Sequence, residues 1–278
     1  MAARWLFLGV GAILLAGCEV APQEPLALAA SSPAAATVTA PARASVAANA
    51  RCLPARGHTG ALAGRTLPVS RVSDIRLARG EVVLTFDDGP IPGKTTRILD
   101  TLDRAGVRAT FLVVGTMARS YPRLVREVAA RGHTIGSHTD RHPNLSRMAH
   151  GAALAEIAKG ERAIAAALSG SGHGMAPFFR FPYLADTRAL RSALAARGTV
   201  VLDVDIDSKD YFRTSSAKVL ERTMARLRSR GRGVVLFHDI HARTVAMLPD
   251  FLAALGREGY RVVHLVPGGA GACPAPAS

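Results

Sequence analysis

The chain has 278 residues, 49% of them hydrophobic, which is enough to bury one sizeable core, and no linker interrupts its middle. The formal net charge is +14, but 31 of the 35 basic residues are Arg, and they are scattered through helical stretches rather than gathered in a stripe. No RNA-binding aromatic signature accompanies them, so nucleic acid is excluded as a partner and the charge reads mainly as an Arg-rich coding bias.

Residues 1–17 have a short basic start and then an apolar run of about twelve residues, too short to span a bilayer comfortably and right for a signal-peptide core. The run ends in Leu15-Ala16-Gly17-Cys18, which resembles the bacterial lipoprotein processing box, cut before the Cys whose new N-terminus takes the lipid. An ordinary cleaved signal peptide with an incidental Cys is the other reading. Cys is rare here, three in the chain, and stands where the box requires it, which favours lipidation of Cys18. Several acyl chains on one Cys give stable anchoring. The expected location is therefore the bacterial cell envelope, with the chain facing the periplasm or exterior, where its basic residues suit anionic envelope polymers.

Residues 18–50, rich in Ala, Pro, Ser, Thr and Val, read as a tether. Residues 51–79 read as a lead-in, 80–267 as the main domain and 268–278 as a C-terminal tail. Cys52 and Cys273 flank that domain. In an oxidising compartment the placement suggests a disulfide joining its two ends; two unpaired thiols are the alternative.

From residue 80 onward strand and helix signals alternate. Apolar or β-branched runs at 82–86, 109–114, 133–137, 178–181, 199–203, 233–237 and 260–265 are the expected strands. Helical spacing lies between them: Ile98, Leu99 and Leu102 before Gly106, and Leu124, Val125 and Val128 before Gly132. Leu154, Ile157, Ile164 and Leu168 then precede Gly170, and Leu248, Phe251, Leu252 and Leu255 precede Gly259. Pro122 and Pro249 fall where early helical turns are expected. Seven strands with intervening helices predict an α/β fold with parallel pairing. Asp87-Asp88, His138, Arg180, Asp205-Asp207-Asp210 and His238-Asp239 all stand at or just past strand ends, the rim where α/β barrels assemble their sites.

Five motifs carry chemistry. In Thr85-Phe-Asp-Asp-Gly-Pro90, two adjacent carboxylates leaving a buried strand repel each other unless a cation and a basic partner relieve them; a solvated turn is the plain alternative. In His138-Thr-Asp-Arg-His142, histidines at i and i+4 share one side of a helical turn and so reach one metal ion, although HxxxH alone also fits capping or surface histidines. With one Asp they form a His-His-carboxylate set that leaves coordination positions for water and substrate. Arg180, in Phe179-Arg-Phe-Pro-Tyr183, needs a rim carboxylate as partner. Asp203-Val-Asp-Ile-Asp-Ser-Lys-Asp-Tyr211 carries four acids, some of them simply solvated or capping. His238 ends the apolar strand Val234-Val-Leu-Phe-His238 and is a candidate general acid, with a structural histidine as the alternative.

In this order the motifs resemble the five-motif signature of the polysaccharide deacetylases, carbohydrate esterase family four, over roughly residues 80–266. The resemblance implies a distorted (β/α) barrel of about seven parallel strands. It also implies a metal-dependent hydrolase that removes N-acetyl groups from a glycan such as a chitooligosaccharide, peptidoglycan or an envelope polysaccharide. By that resemblance Asp87 is the catalytic base, and Asp88, His138 and His142 hold one divalent metal ion, zinc by default, with cobalt, nickel or manganese as alternatives. Arg180 holds Asp87, Tyr183 offers its backbone N–H to the oxyanion, Asp210 tunes His238 as general acid, and Leu236 and Tyr211 line the acetyl pocket. Two positions depart from the family pattern: Tyr211 stands where Trp is usual, and Leu184 follows Tyr183 where many members have Gly. The same site would serve an O-acetyl esterase on an acetylated polysaccharide. A non-catalytic glycan-binding envelope lipoprotein is the reading from another class, and the full set of metal and acid–base residues argues against it.

Overall fold

The computed structural model describes residues 61–269. The signal segment, the tether and Cys18, Cys52 and Cys273 lie outside the described residues. Nine strands occur among the described residues: β1 (Ala63–Val69), β2 (Glu81–Asp87), β3 (Thr110–Val113), β4 (Thr134–Ser137), β5 (Phe178–Phe179), β6 (Val200–Val201), β7 (Ile206–Asp207), β8 (Gly233–His238) and β9 (Arg261–Pro267). Seven α-helices lie among them: α1 (Thr95–Arg104), α2 (Gly115–Ser120), α3 (Pro122–Ala130), α4 (His150–Leu168), α5 (Arg188–Ala196), α6 (Ser216–Arg230) and α7 (Ala242–Arg257).

Every strand pairing is parallel, and the curved wall runs β7-β8-β2-β3-β4-β5-β6. No ladder joins β6 to β7 among the described residues, so the barrel is distorted and open along that seam. β1 and β9 pair with each other and attach beside the start of β2. All seven runs expected as strands are strands. β1 and β7 are additional, and each has a reason for its weak signal. β1 contains Pro68, which an edge strand tolerates but a period-two reading penalises, and β7 is two residues long.

Alternation along β2 sorts the two layers. Val82, Leu84 and Phe86 face outward into a core built with α1, α3, α6 and α7, where Phe86 stacks on Phe111 at 5.1 Å and on Phe237 at 5.7 Å. Val83, Thr85 and Asp87 face the interior. There Leu67, Val69, Val263 and Leu265 of the β1–β9 pair pack with Val83, Leu112, Phe178 and Val234, so that pair fills the inside of the curved sheet. Each such fully buried aliphatic or aromatic side chain contributes about 1.5–3 kcal/mol of hydrophobic stabilisation.

Pro122 occupies the first turn of α3 as expected, but Pro249 does not start a helix. It sits inside α7, because the helix begins earlier, at Ala242. The cost of a missing N–H in a helix interior is offset by the buried face of α7, which includes Leu248, Phe251, Leu252 and Leu255. Helix α4 contains two glycines with opposite surroundings. A Cβ on Gly151 meets nothing within 4 Å, whereas one on Gly160 collides with the backbone of Thr139. Gly151→Ala is expected to be neutral or to stabilise by up to about 1 kcal/mol through helix propensity. Gly160→Ala should destabilise by about 1–3 kcal/mol, as read by urea unfolding of the two variants side by side.

Candidate active site

The site lies at the C-terminal end of the wall and is built from the interior-facing positions. β2 delivers Asp87, 2% exposed, and the chain then turns through Asp88 in a left-handed conformation (φ 77°). Arg180 follows β5 and is 1% exposed. Its Nη1 donates to Asp87 Oδ1 and to Thr85 Oγ1, each at 2.7 Å, and its Nε donates to the Leu202 carbonyl at 3.0 Å. Burial pushes the Asp87 carboxyl up from its ordinary range, while Arg180 and then His238 pull it back down. Thr85 in turn donates its hydroxyl proton to the Val235 carbonyl at 2.8 Å.

Opposite Asp87, His238 ends β8. Its ring Nδ1 donates to Asp210 Oδ1 at 2.7 Å and its backbone N–H to Asp210 Oδ2 at 2.8 Å. Thr244 Oγ1 donates to the same Oδ2 at 2.6 Å. Burial opposes the imidazolium, but the Asp210 hydrogen bond and charge outweigh it, helped by Asp87 and Asp88, and raise His238 to about 9. Asp210 is itself held below the usual carboxylate range: burial acts against this, and the bonds from His238 and Thr244 prevail.

Asp88, His138 and His142 form the third group. One ligand atom from each lies within 4.8 Å of the others: Asp88 Oδ1 is 3.5 Å from His138 Nε2 and 3.3 Å from His142 Nε2. His138 Nδ1 donates to the Arg180 carbonyl at 2.8 Å, which leaves its Nε2 lone pair facing Asp88. Burial drives the His138 pKa down to about 3, so this ring is neutral. Asp88 Oδ1 is buried without a hydrogen-bond partner. A carboxylate oxygen stranded beside the neutral His138 ring and the His142 Nε2 fits a divalent cation and is costly without one.

The expected helical turn at 138–142 is not formed. The segment is a loop in which Thr139 (φ 69°) and His142 (φ 61°) are left-handed, and the two rings still meet with centroids 4.8 Å apart. Tertiary contacts supply what a helix would have supplied. Gly115 and Thr116 at the start of α2 donate to the Thr139 and Asp140 carbonyls at 2.9 Å each, and Thr139 Oγ1 accepts the His142 N–H at 2.9 Å. Buried Glu156 takes the Arg141 N–H at 2.7 Å. Asp140, fully buried, is paired to Arg119 at 2.6 Å and Lys159 at 2.9 Å.

A cavity of about 390 Å³ joins these groups, with Leu236, Tyr183, Leu184 and Tyr211 among its walls. Tyr211 packs edge-on against the His238 ring at 5.4 Å and donates its hydroxyl to Asp207 at 2.9 Å. The acids of 203–210 divide as their contacts dictate. Asp210 and Asp207 reach the site, while Asp203 pairs with Arg191 at the surface. Asp205 does not stand on the rim: it accepts the Val234 N–H at 2.9 Å, at the beginning of β8, because β7 starts level with Val235. Sequence reading missed Thr85, Thr244 and Glu156. Only Thr85 carried a signal, since it lies two residues before Asp87 and so shares its face.

A curved parallel sheet with acid–base pairs and a metal-type cluster at the C-terminal ends of its strands defines a metal-assisted hydrolase. The polysaccharide deacetylase family model matches residues 75–202. A chitooligosaccharide deacetylase of Bradyrhizobium is 31% identical over 200 residues, 67% of this chain and 89% of that protein. A chitin deacetylase of Colletotrichum lindemuthianum is 33% identical over 222 residues, 74% and 87% of the two chains. The solved peptidoglycan deacetylase of Bdellovibrio bacteriovorus superposes with a TM-score of 0.65 at 35% identity, covering 78% of this chain and 59% of that one. The chain belongs to the polysaccharide deacetylase family, whose members are metal-dependent.

Because His238 titrates near 9 in the fold, above the ordinary 6.5, its pair with Asp210 stabilises the protein fully below pH 6.5. That contribution is lost as the pH rises through about 9. In Asp210→Asn the His238 ring should titrate near 6.5 or below, as followed by NMR. A value that stays near 9 would assign the shift to Asp87 and Asp88 instead.

Proposed function

We propose that the protein is an N-deacetylase of an acetylated envelope glycan, peptidoglycan or a chitooligosaccharide-like polymer, releasing acetate and a free amine. The observation that carries this reading is the convergence on one cavity of a carboxylate held by Arg180, an imidazolium held by Asp210, and the Asp88–His138–His142 cluster. The residues of that cluster would hold one divalent ion, zinc by the donor set. When bound, such an ion polarises the acetyl carbonyl and acidifies water.

The chain's own residues do the rest. Asp87 Oδ2, the oxygen not bonded to Arg180, accepts the proton of the attacking water, and Arg180 keeps the carboxylate aimed. The Tyr183 N–H donates to the developing oxyanion. Leu236 and the Tyr211 ring enclose the methyl group, and the Tyr211–Asp207 bond fixes that wall. His238, cationic at neutral pH, then gives its Nε2 proton to the nitrogen as the C–N bond breaks, which turns a poor leaving group into an amine.

The same proposal places the chain in the cell envelope, lipid-anchored at Cys18, with residues 1–17 removed, 18–50 as tether and Cys52–Cys273 bridged. In support of the envelope setting, a structurally similar protein is a peptidoglycan deacetylase. No helix among the described residues is long and apolar enough to cross a membrane.

Acetate release should be measured on acetylated amino-sugar oligomers, peptidoglycan and acetylated xylan, with and without chelator. Release from the amino-sugar substrates that is lost on chelation and restored by Zn²⁺ is the expected result; faster release from xylan would make the enzyme an O-acetyl esterase. Asp87→Asn and His238→Ala should each lower kcat by at least about 10²-fold while still binding one metal by equilibrium dialysis. Near-full activity in either variant would sink the acid–base assignment.

A further inference from the structure

The opposite end of the sheet, where the strands begin, has chemistry that the deacetylase site does not use. A cavity of about 710 Å³ opens there, lined by Ile75, Arg76, Leu77, Asp205, Arg230 and Arg232. The exposed Arg79 adds a fourth guanidinium, lying against Gly231 between the last two arginines. Arg230 is paired with Asp205 at 2.8 Å. Among the described residues, Arg76, Arg79 and Arg232 have no carboxylate within 4.0 Å. Arg76 and Arg232 on the wall of the concavity, with Arg79 against Gly231 beside it, place three solvent-facing guanidiniums without ion-paired carboxylates together, a surface suited to anions.

The register fixes which way this end faces along the chain. Ala63 is level with Val262, Glu81 with Arg261, and Val82 with both Val262 and Gly233. The described domain is therefore entered from its N-terminal side at the arginine-bearing end. Ala63 and Gly233 are three strand spacings apart, about 14 Å. Asp87, Ser137 and His238 terminate their strands at the other end.

We propose that this end docks on acidic phospholipid headgroups, with Arg76, Arg79 and Arg232 as the contact residues, and turns the deacetylase cavity away from the bilayer toward the glycan. The orientation rests on the reading that the chain is tethered through Cys18; the anion-binding surface stands on the arginines alone. Each Arg held near an anionic bilayer contributes about fivefold in partitioning.

Flotation of the full-length chain and of full-length Cys18→Ser, on phosphatidylcholine vesicles with or without roughly one third phosphatidylglycerol, separates the two readings. Lipidation is read from the difference between these two chains on neutral vesicles. Docking is read in Cys18→Ser as extra binding to the anionic vesicles, which should fade when salt rises from ~0.1 to ~1 M and the screening length falls from about 10 to about 3 Å. Replacing Arg76, Arg79 and Arg232 together by Ala in that background should lower the anionic partitioning on the order of 100-fold. Replacing all three by Lys should retain most of it. Acetate release on a soluble substrate without vesicles should be unchanged in both triple variants. Equal binding to neutral and anionic vesicles overturns the proposal, as does undiminished flotation of the alanine variant. Arginine-dependent retention on an anionic wall polymer with no vesicle binding overturns it as well.

Discussion

Arg180 places a guanidinium where almost no water reaches it, so the fold has to supply its partners from within. Desolvating an ion of this size costs several kcal/mol, and the compensation reaches across the sheet. Its Nε holds the carbonyl of Leu202, just after β6, and its Nη1 holds Thr85 and Asp87 of β2, with Thr85 bonded onward to β8. These bonds link the two flanks of a wall whose seam between β6 and β7 has no backbone ladder. The Arg180 carbonyl also takes the Nδ1 proton of His138 and thereby sets which nitrogen of that ring faces Asp88. One buried charge thus fixes both the carboxylate that would act as base and the tautomer of a metal-type ligand.

Two histidines at this end show how surroundings decide chemistry. His138 and His238 are the same residue type on neighbouring parts of one rim, yet one is pushed down to about 3 and the other up to about 9. Both are desolvated. The difference is that burial of His138 outweighs the Asp88 carboxylate 3.5 Å from its Nε2 and its bond to the Arg180 carbonyl, while His238 has the whole carboxylate of Asp210 bound to its ring and backbone. Metal-assisted amide hydrolysis needs both a neutral ligand and a proton donor, and the two environments would suit the roles proposed for His138 and His238.

Parallel strands give the domain two chemically distinct ends. Site carboxylates and imidazoles gather where strands stop, and arginines that have no carboxylate within 4.0 Å among the described residues gather beside the point of chain entry where strands start. In an antiparallel sheet the two sets would be interleaved. Here strand direction keeps the arginines of one end apart from the carboxylates and imidazoles of the other, so neither set neutralises the other.

The alternating apolar runs and helical spacings determined the α/β class, because burial on a sheet or helix face writes a local period into the chain. The identities of Asp87, Asp88, His138, Arg180, Asp210 and His238 were legible for a related reason: charged residues at the ends of apolar strands are out of place unless they have work or partners. Other features had no local signature. Pro249 could be placed inside α7 only by knowing how much helix the core would hold. The His138–His142 loop owes its shape to Gly115, Thr116, Gly160 and Glu156, which are distant in sequence. Asp205 was separated from Asp207 and Asp210 by the register of a two-residue strand. Sequence by itself settled which residues carry charge and which faces are buried, since those depend on side-chain chemistry and period. Tertiary structure alone decided which charges meet, because a pairing distance depends on strands brought together from far apart in the chain.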